Sequence, residues 1–306
     1  MLTLVFPGQG SQYSGMGKDL AQNFPLAKQL FEEANDILGF DLSKLCFSGS
    51  EEDLKLTANT QPAILAVSIA ALRVLRQEVE LDPAYAAGHS LGEYSALVAA
   101  GVLSFADALT TVRQRGIFMQ EAVPIGVGAM AAILGLEGEA LEQLCLDASR
   151  GEVVAPANFN SPGQVVIAGH AAAVERAIAL AAERGAKRAL KLSVSAPFHC
   201  ALMAPAAQRL EQALAVVKVT PFAFPVVTNV EATCCDLPER VKPLLVKQVC
   251  APVRWDASIE HCAALGVDRY LEVGPGKVLT GLIKRIQRGA ALDQVGDAES
   301  LKRLQM

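Results

Sequence analysis

The sequence predicts an α/β protein in which a small α+β unit is inserted into a larger domain. Short apolar runs alternate with helical segments near both ends of the chain, as in a parallel sheet covered by helices. From residue 126 onward the predicted order is strand, helix, strand, strand, helix, strand, which is the ferredoxin-like pattern. We therefore expect residues 1–125 and 197–306 to form the large domain and residues 126–196 the insertion, with a substrate cleft between them.

The first elements of the large domain are a buried strand and a buried helix. Residues 2–6 are an apolar run that ends at Pro7-Gly8, which indicates a short strand. Thr60 is a favoured N-cap and precedes a segment that is apolar on nearly every side up to Leu75. Residues 85–87 then predict a second strand, which leads into a glycine-rich turn.

The following helices are marked by their termini. The helix after the turn should end at Gly101, and Ser104 with Asp107 resembles a capping box for a helix that runs to about residue 122. In the insertion we expect strands at 129–134, 153–158, 164–168 and 188–194 and helices at 138–148 and 171–183. The last elements are a strand at 269–272 and a helix after Gly276.

The composition is typical of a globular cytoplasmic protein. Hydrophobic residues make up 52% and charged residues 19% of 306 residues, which is ample material for a core. The seven cysteines have no CxxC or other metal-ligand spacing, which favours reduced thiols and no metal. The N-terminus lacks the basic segment of a signal peptide, and no run of about 18 apolar residues predicts a membrane span. A net charge of -5 argues against nucleic acid as a partner.

A candidate nucleophile lies in the segment Gly88-His89-Ser90-Leu91-Gly92. A GxSxG sequence between a strand and a helix is typical of a sharp turn that exposes the serine hydroxyl. The glycines are needed because side chains there would collide with the turn, and the helix N-terminus offers N–H groups to developing negative charge. The motif is weakly specific by itself, so the flanking strand and helix carry the inference.

A serine nucleophile needs a base, and the chain has four histidines. His89 neighbours the serine at a sharp turn, where adjacent side chains diverge. His170 is placed as a surface cap at the end of a strand, and His261 as a packed residue of an amphipathic helix. His199 follows Pro197 where the chain re-enters the large domain and is the best candidate, although spacing alone supports a structural role equally well.

Arg115 is the third candidate, because it projects from an apolar helical stripe. The stripe consists of Ala108, Val112 and Met119, which share one arc with it at 100° per residue, while Arg113 points elsewhere. A guanidinium in such a place needs an anion that it can bind with two hydrogen bonds. The sequence leaves two partners open, a substrate carboxylate or an Asp or Glu of the protein.

Several segments resemble those of the malonyl-CoA:acyl carrier protein transacylase family. Besides the GxSxG segment, which continues as Glu93-Tyr94, they are Phe6-Pro7-Gly8-Gln9-Gly10-Ser11-Gln12, Thr60-Gln61-Pro62-Ala63, Gln114-Arg115-Gly116, Pro197-Phe198-His199 and Glu272-Val273-Gly274-Pro275-Gly276-Lys277. They occur in order along essentially the whole chain. The resemblance implies a hydrolase-like core with a parallel sheet and a ferredoxin-like subdomain, malonyl-CoA and acyl carrier protein as substrates, and no cofactor. It also implies a ping-pong reaction. Nothing in the sequence suggests an obligate partner subunit, which favours a monomer.

The resemblance also assigns roles to single residues. It implies Ser90 as nucleophile, His199 as base, Gln248 as the residue whose carbonyl orients the histidine, Gln9 and Leu91 as the oxyanion hole, Arg115 as the site for the free malonyl carboxylate, and Phe198 as substrate-binding. Without the resemblance, Gln248 would be interpreted as a surface residue of a helix. Cys200 departs from the family, in which serine is more frequent at this position.

Three other functions stay open at this point. A trans-acting acyltransferase of a polyketide pathway would use the same acyl group with another carrier. A serine hydrolase acting on thioesters would place its histidine late in the chain, where only His261 could serve. A non-catalytic CoA-binding module would need neither Ser90 nor His199.

Two basic clusters are candidate docking patches for an acidic carrier protein. They are Lys187, Arg188 and Lys191 in the insertion, and Lys284, Arg285 and Arg288 near the C-terminus. Local positive charge matters more than net charge at short range, because screening acts over about 8 Å. Basic residues on ordinary solvent-exposed faces of helices and strands would explain the two clusters equally well.

Overall fold

The structure, a computed structural model, describes residues 1–194 and 196–304. The strands are β1 (Leu2–Phe6), β2 (Pro83–Gly88), β3 (Gly128–Leu134), β4 (Val154–Ser161), β5 (Gln164–His170), β6 (Arg188–Lys191), β7 (Val226–Val227), β8 (Cys234–Cys235), β9 (Val253–Arg254), β10 (Arg269–Val273) and β11 (Ala291–Val295). The helices are α1 (Lys18–Asn23), α2 (Pro25–Leu38), α3 (Leu42–Ser48), α4 (Glu51–Lys55), α5 (Thr57–Glu78), α6 (Gly92–Ala99), α7 (Phe105–Glu121), α8 (Gly138–Ser149), α9 (Ala171–Glu183), α10 (Ala204–Ala215), α11 (Pro238–Cys250), α12 (Trp255–Ala264), α13 (Val278–Ile286) and α14 (Ala298–Leu304).

The larger sheet has six strands in the order β11-β10-β1-β2-β7-β8. Its neighbours are parallel except for the antiparallel pair β7 and β8. Successive residues of β1 pack into different cores, because Leu4 and Phe6 face one set of helices and Val5 faces the other. A strand buried on both faces reads as a continuous apolar run, which is why β1 was predictable from the sequence. The predicted α/β fold with a parallel sheet is confirmed.

The smaller sheet has the order β6-β3-β5-β4-β9. Its first four strands pair in antiparallel fashion, and α8 and α9 close one face around residues such as Leu144 and Val174. This is the predicted ferredoxin-like unit. The fifth strand, β9, was not predicted: it comes from the C-terminal part of the chain and pairs in parallel with β4. The domain boundaries proposed from the sequence stay a prediction, and Ser195, beside the second boundary, lies outside the described residues.

Three element boundaries differ from the sequence prediction by three residues or more. Thr60 is not an N-cap, because α5 already begins at Thr57 and the Thr60 hydroxyl donates to the Leu56 carbonyl within the first turn. The strand expected at 188–194 ends at Lys191, since the Val194 N–H donates back to the Leu192 carbonyl instead of to β3. The strand expected at 153–158 is longer, because β4 continues through residue 161.

Helix α5 is a core helix with a proline in its interior. Pro62 has no N–H for the carbonyl of Ala58, and Arg113 on α7 supplies the missing donor with an Nη1 to oxygen distance of 2.6 Å. By length and composition α5 is long and apolar enough to cross a membrane, but 83% of its most apolar window is buried inside the protein. The guanidinium therefore replaces a backbone hydrogen bond in the packing of α5 against α7.

We expect Arg113→Ala to lower the free energy of unfolding by about 1–3 kcal/mol, because it leaves the Ala58 carbonyl without a donor. In a Pro62→Ala background the new backbone N–H can donate to that carbonyl, so the same substitution should cost less. Urea unfolding of the wild type, both single variants and the double variant measures this coupling. Equal costs of Arg113→Ala in the two backgrounds would contradict the explanation.

Candidate active site

A cavity of about 290 Å³ lies between the two sheets. One wall is formed by residues that follow the carboxyl ends of β1 and β2, among them Gln9 and Ser90, and the other by β3, β4 and β5. Ligands of parallel α/β sheets typically bind at the carboxyl ends of the strands. The cavity is therefore the candidate active site.

The candidate nucleophile occupies a strained turn between β2 and α6. Ser90 has a φ of 52°, a left-handed conformation that costs a non-glycine residue about 1–3 kcal/mol. A Cβ on Gly88 would lie 1.9 Å from the Gly92 carbonyl carbon, and a Cβ on Gly92 would lie 2.1 Å from the Phe6 oxygen. Both glycines of the motif are thus required by close backbone approach, as the sequence predicts.

Asn229, in the loop between β7 and β8, clamps this turn. Its Oδ1 accepts the Ser90 N–H at 2.7 Å and its Nδ2 donates to the Gly88 carbonyl at 2.6 Å. The residue is fully buried, and its own N–H donates to Glu93 Oε2 at 2.9 Å. Sequence reasoning missed Asn229, because an asparagine after a two-residue strand carries no local signal.

His199 lies against the serine in the geometry of a general base. Its Nε2 is 2.7 Å from Ser90 Oγ, and its Nδ1 is 2.8 Å from the backbone carbonyl of Gln248. A carbonyl can only accept, so the ring proton belongs on Nδ1 and Nε2 is left to accept the serine proton. The His199–Ser90 pair that was expected from the sequence is therefore in contact.

The environment of His199 keeps its imidazole neutral. Burial, followed by the positive charge of Arg115, lowers the pKa of His199 to about 3, while the hydrogen bond to the Gln248 carbonyl opposes the shift. A neutral imidazole is the form that can accept a proton. The neighbouring Cys200 is buried and its thiol donates to the Pro197 carbonyl, so it does not compete for the ring.

Gln248 is fully buried near the end of α11, so the interpretation as a surface residue is wrong. Its side-chain Oε1 accepts from Arg115 Nη2 at 3.0 Å. Its Nε2 donates to the Ser90 carbonyl at 3.1 Å and to Glu93 Oε2 at 2.9 Å. The same Nε2 lies 3.4 Å from Asn229 Oδ1, so that, with the carbonyl contact to His199, one residue reaches five partners in the site.

Arg115 is 1% exposed and is surrounded by neutral oxygens. Its Nη1 donates to Gln61 Oε1 at 2.7 Å, and its Nη2 lies 3.2 Å from Ser90 Oγ. Within the described residues no Asp or Glu lies within 4.0 Å of the guanidinium, so the alternative of an internal salt bridge is wrong. Burial lowers the pKa of Arg115. A buried guanidinium with no carboxylate in direct contact can accept an anion from a ligand.

The remaining predicted site residues also face the cavity. Gln9 lines it, and its Nε2 lies 3.4 Å from Thr57 Oγ1. Leu91 follows Ser90 directly and is the N-cap of α6. At this position the helix offers no carbonyl partner for the Leu91 N–H. Phe198 is buried and lines the same cavity.

The other histidines do not contact Ser90 Oγ. His170 Nδ1 accepts the Val153 N–H at 2.9 Å at the start of α9, and His261 Nε2 lies 3.4 Å from the Cys234 nitrogen. His89 lines the cavity, but its Nε2 is 2.8 Å from Asn160 Oδ1 on β4. Across residues 1–194 and 196–304, no group of three or more metal-ligating side chains occurs.

The chain matches the acyl transferase domain family over residues 3–305. The malonyl CoA-acyl carrier protein transacylase of Escherichia coli strain K12 is 54% identical over 282 residues, which cover 92% of this chain and 91% of that protein. The protein of the same name from Bacillus subtilis strain 168 is 50% identical over 302 residues, which cover 98% of this chain and 95% of that protein.

Solved structures with the same architecture cover nearly the whole chain. An acyl carrier protein S-malonyltransferase from Vibrio cholerae O1 biovar eltor has a TM-score of 0.96 and 52% identity and covers 99% of both chains. A malonyl-transacylase solved in complex with its type II PKS acyl-carrier protein also has a TM-score of 0.96, with 50% identity and coverage of 98% of this chain and 97% of that one. With identity at this level along its full length and a serine, histidine and arginine in contact in one cavity, the chain belongs to the acyl transferase family, in the group of malonyl CoA-acyl carrier protein transacylases.

Proposed function

We propose that this protein transfers the malonyl group of malonyl-CoA to the phosphopantetheine thiol of an acyl carrier protein, through an ester on Ser90. The observation that carries the proposal is the buried Arg115, whose Nη2 lies 3.2 Å from Ser90 Oγ. A cation with neutral partners beside the nucleophile favours an acyl group that brings its own carboxylate. The names of the relatives support the same acyl group and the same acceptor.

The guanidinium has one edge available for that carboxylate. Arg115 Nε is buried and has no hydrogen-bond partner among the described residues, and the neighbouring Nη2 has one hydrogen for Gln248 Oε1 and its other toward Ser90. These two nitrogens can form the paired hydrogen bonds that a carboxylate accepts. An acetyl group has no such carboxylate, so Arg115 would act as the specificity residue, with Phe198 on the wall of the same cavity.

In the first half-reaction, His199 accepts the Ser90 proton while the serine oxygen attacks the thioester carbonyl. The tetrahedral oxyanion then faces Gln9 and the Leu91 N–H, and each such donor stabilises a transition state by about 3–4 kcal/mol. The carbon–sulfur bond breaks, His199 returns the proton to the CoA sulfur, and the malonyl ester stays on Ser90. The neutral imidazole at Nε2, 2.7 Å from Ser90 Oγ, supports this step.

In the second half-reaction, the carrier thiol gives its proton to His199 and its sulfur attacks the ester, so that Ser90 leaves and recovers the proton. The ring is oriented by the Gln248 carbonyl in place of the carboxylate of a full triad. A neutral partner stabilises the imidazolium less than a carboxylate does, which suits thioesters because they transfer acyl groups readily.

The same proposal includes the setting in which the enzyme works. The reaction needs no metal or redox cofactor, since Ser90 and His199 supply the nucleophile and the proton transfer. The seven cysteines are all free, which suits the reducing cytoplasm. We also propose a monomer with residues 1–125 and 197–306 as the acyltransferase domain and residues 126–196 as the small subdomain.

Transfer to a carrier of a polyketide pathway is a second candidate function. It is favoured by one observation, the likeness to a malonyl-transacylase in complex with a type II PKS acyl-carrier protein. The cavity contacts the acyl group and not the carrier protein. Both candidate functions would therefore use the same reaction at Ser90. The hydrolase alternative is disfavoured, because His261 binds the Cys234 backbone and not the serine.

Ser90→Ala should abolish covalent malonylation and leave the fold intact, because the hydroxyl faces the cavity and contributes little packing. Intact mass and peptide mapping after a brief incubation with malonyl-CoA measure the modification, and circular dichroism checks the fold. A malonyl mass on the peptide that contains position 90 in this variant would refute the assignment.

Arg115→Ala should lower kcat/KM for malonyl-CoA at least about a hundredfold and leave acetyl-CoA unaffected or improved. Removing one partner of a buried charge pair costs about 3–5 kcal/mol, and about 1.4 kcal/mol corresponds to a factor of ten. Arg115→Lys should recover only part of the malonyl activity, because an ammonium cannot form the paired contact. The measured quantity is the ratio of kcat/KM for malonyl-CoA to that for acetyl-CoA.

The matched control is Arg113→Ala, two residues away on the same helix, which changes stability but does not line the cavity. Its malonyl to acetyl ratio should equal that of the wild type. An unchanged ratio in Arg115→Ala would mean that this arginine is structural and that specificity lies elsewhere.

The two basic clusters flank the cavity, which supports them as docking patches. All six side chains are exposed. Leu192 and Val194, which follow the first cluster, line the cavity, and Arg285 of the second cluster donates to Gln164, another cavity residue. Lys191 is partly compensated by its ion pair with Glu175.

Reversing the charges of either cluster should raise KM for the carrier protein and leave KM for malonyl-CoA unchanged, because an acidic carrier is steered by local positive charge. Steady-state kinetics at low and high salt measure the effect, which should weaken as salt rises. Lys28→Glu with Lys44→Glu, on α2 and α3, is the control for net charge. If neither cluster changes KM for the carrier more than this control does, the patches are ordinary solvated surface.

A further inference from the structure

Glu93, the second residue of α6, is a buried carboxylate that the proposed reaction does not use. It is 2% exposed, and its Oε2 accepts the Asn229 N–H at 2.9 Å and Gln248 Nε2 at 2.9 Å. A buried carboxylate is costly unless charge or hydrogen bonds compensate it. The burial of this carboxylate beside the serine turn therefore needs a physical explanation.

One amide connects Glu93 to the substrate-binding arginine. The Gln248 side chain donates to Glu93 through Nε2 and accepts from Arg115 through Oε1. The reverse orientation would set Nε2 against the guanidinium and Oε1 against the carboxylate, so the two charges fix the amide from both sides. Arg115 and Glu93 therefore act as a compensated pair across a single neutral group.

The other titratable groups that face this network are neutral near pH 7. Burial lowers the pKa values of His89 and His199 and raises those of Tyr94 and Cys235. Burial also raises the pKa of Glu93 to about 7, while Asn229, Gln248 and Arg115 oppose that shift. In the part of the chain that the structure describes, Glu93 is thus the group of this network whose charge changes near neutral pH.

We infer that Glu93 is a positioning residue of the acyl site, which balances the charge of Arg115 while the site is empty and takes up one proton when the malonyl carboxylate binds. The inference rests on the proposed function, in which Arg115 binds that carboxylate. The incoming anion would otherwise leave one uncompensated negative charge in a buried network, and a like charge nearby favours the neutral form of a carboxyl group. The proton comes from water and returns to water when the malonyl group leaves.

The geometry accommodates the proton without loss of the existing contacts. Among the described residues, the hydrogen bonds to Glu93 go to Oε2. A proton on Oε1 leaves both of them in place, so Gln248 keeps its orientation toward Arg115 in either charge state.

The inference has a definite sign. Well below pH 7 Glu93 is largely protonated in the empty site, and malonyl binding needs no further proton. As the pH rises through this value, malonyl binding requires the uptake of a proton while the proton concentration falls, so the affinity for malonyl-CoA decreases. Acetyl-CoA brings no carboxylate, so its affinity should not follow this titration.

The experiment measures kcat/KM for malonyl-CoA over that for acetyl-CoA between pH 6 and 8.5, since the ratio cancels the titration of groups that both substrates share. In the wild type the ratio should fall at least about tenfold, because one coupled proton changes it about tenfold for each pH unit above the pKa of Glu93. In Glu93→Gln, which retains an oxygen for Asn229 and Gln248 but cannot ionise, the ratio should be independent of pH.

The matched control is Glu272→Gln. Glu272 is 1% exposed and caps α13 by accepting from the N–H groups of Leu279 and Thr280, and it does not line the cavity. This variant should show the tenfold fall of the wild type. A ratio that is flat in the wild type, or that falls equally in Glu93→Gln, would overturn the inference.

Proton uptake gives a second readout that needs no variant. Mixing the wild type with malonyl-CoA in weak buffer with a pH indicator at pH 7.5 should consume protons, and acetyl-CoA should not; no uptake would also overturn the inference. Failure of the inference about Glu93 can be distinguished from failure of the proposed function. An enzyme that prefers malonyl over acetyl equally at every pH contradicts only the role of Glu93, whereas an Arg115→Ala variant with an unchanged ratio contradicts the proposed function itself.

Discussion

The buried side chain and carbonyl of Gln248 are the contacts on which the rest of the site depends. The carbonyl fixes the ring of His199, and the side chain joins Arg115 to the serine turn. The proposed base, the proposed carboxylate site and the proposed nucleophile are therefore held by one residue of α11, although they come from three other segments of the chain. A fully buried amide has no water to replace a lost partner, so each of these contacts constrains the others. This explains how a histidine without a carboxylate partner can still be held in one orientation.

The strain at Ser90 is maintained by backbone packing rather than by its own side chain. Gly88 and Gly92 bring β1, β2 and α6 closer than any side chain would permit, and Asn229 holds the peptide groups of the turn from the opposite side. The sheet is packed on both sides at this point, because β1 is buried on both faces. The energy that stabilises the core thus offsets the unfavourable backbone conformation of the serine that faces the cavity, which is a common way for functional sites to be built.

The sequence predicted those parts of the site that have a local pattern. The apolar run of β1, the glycines beside Ser90 and the helical position of Arg115 each follow from spacing within a few residues. His199 and Gln248 needed the family resemblance, since the contacts between their segments and the serine span more than a hundred residues of chain. Asn229 and β9 could not be predicted at all, because the role of a loop asparagine and the pairing of a two-residue strand depend on contacts with residues distant in the sequence. The misplaced start of α5 has the same origin: Thr60 has the chemistry of a cap, but tertiary packing allowed the helix to begin earlier.

The short strand β9 has a mechanical consequence for the cleft. It pairs with β4 of the small sheet, follows closely on the helix that carries Gln248, and its Arg254 N–H donates to the Asn229 carbonyl. The small sheet is therefore fastened to the same two segments that hold the histidine and the serine turn. A widening of the cavity would pull on α11 and on the Asn229 loop together, so the width of the entrance and the alignment of the reacting groups form one coupled coordinate.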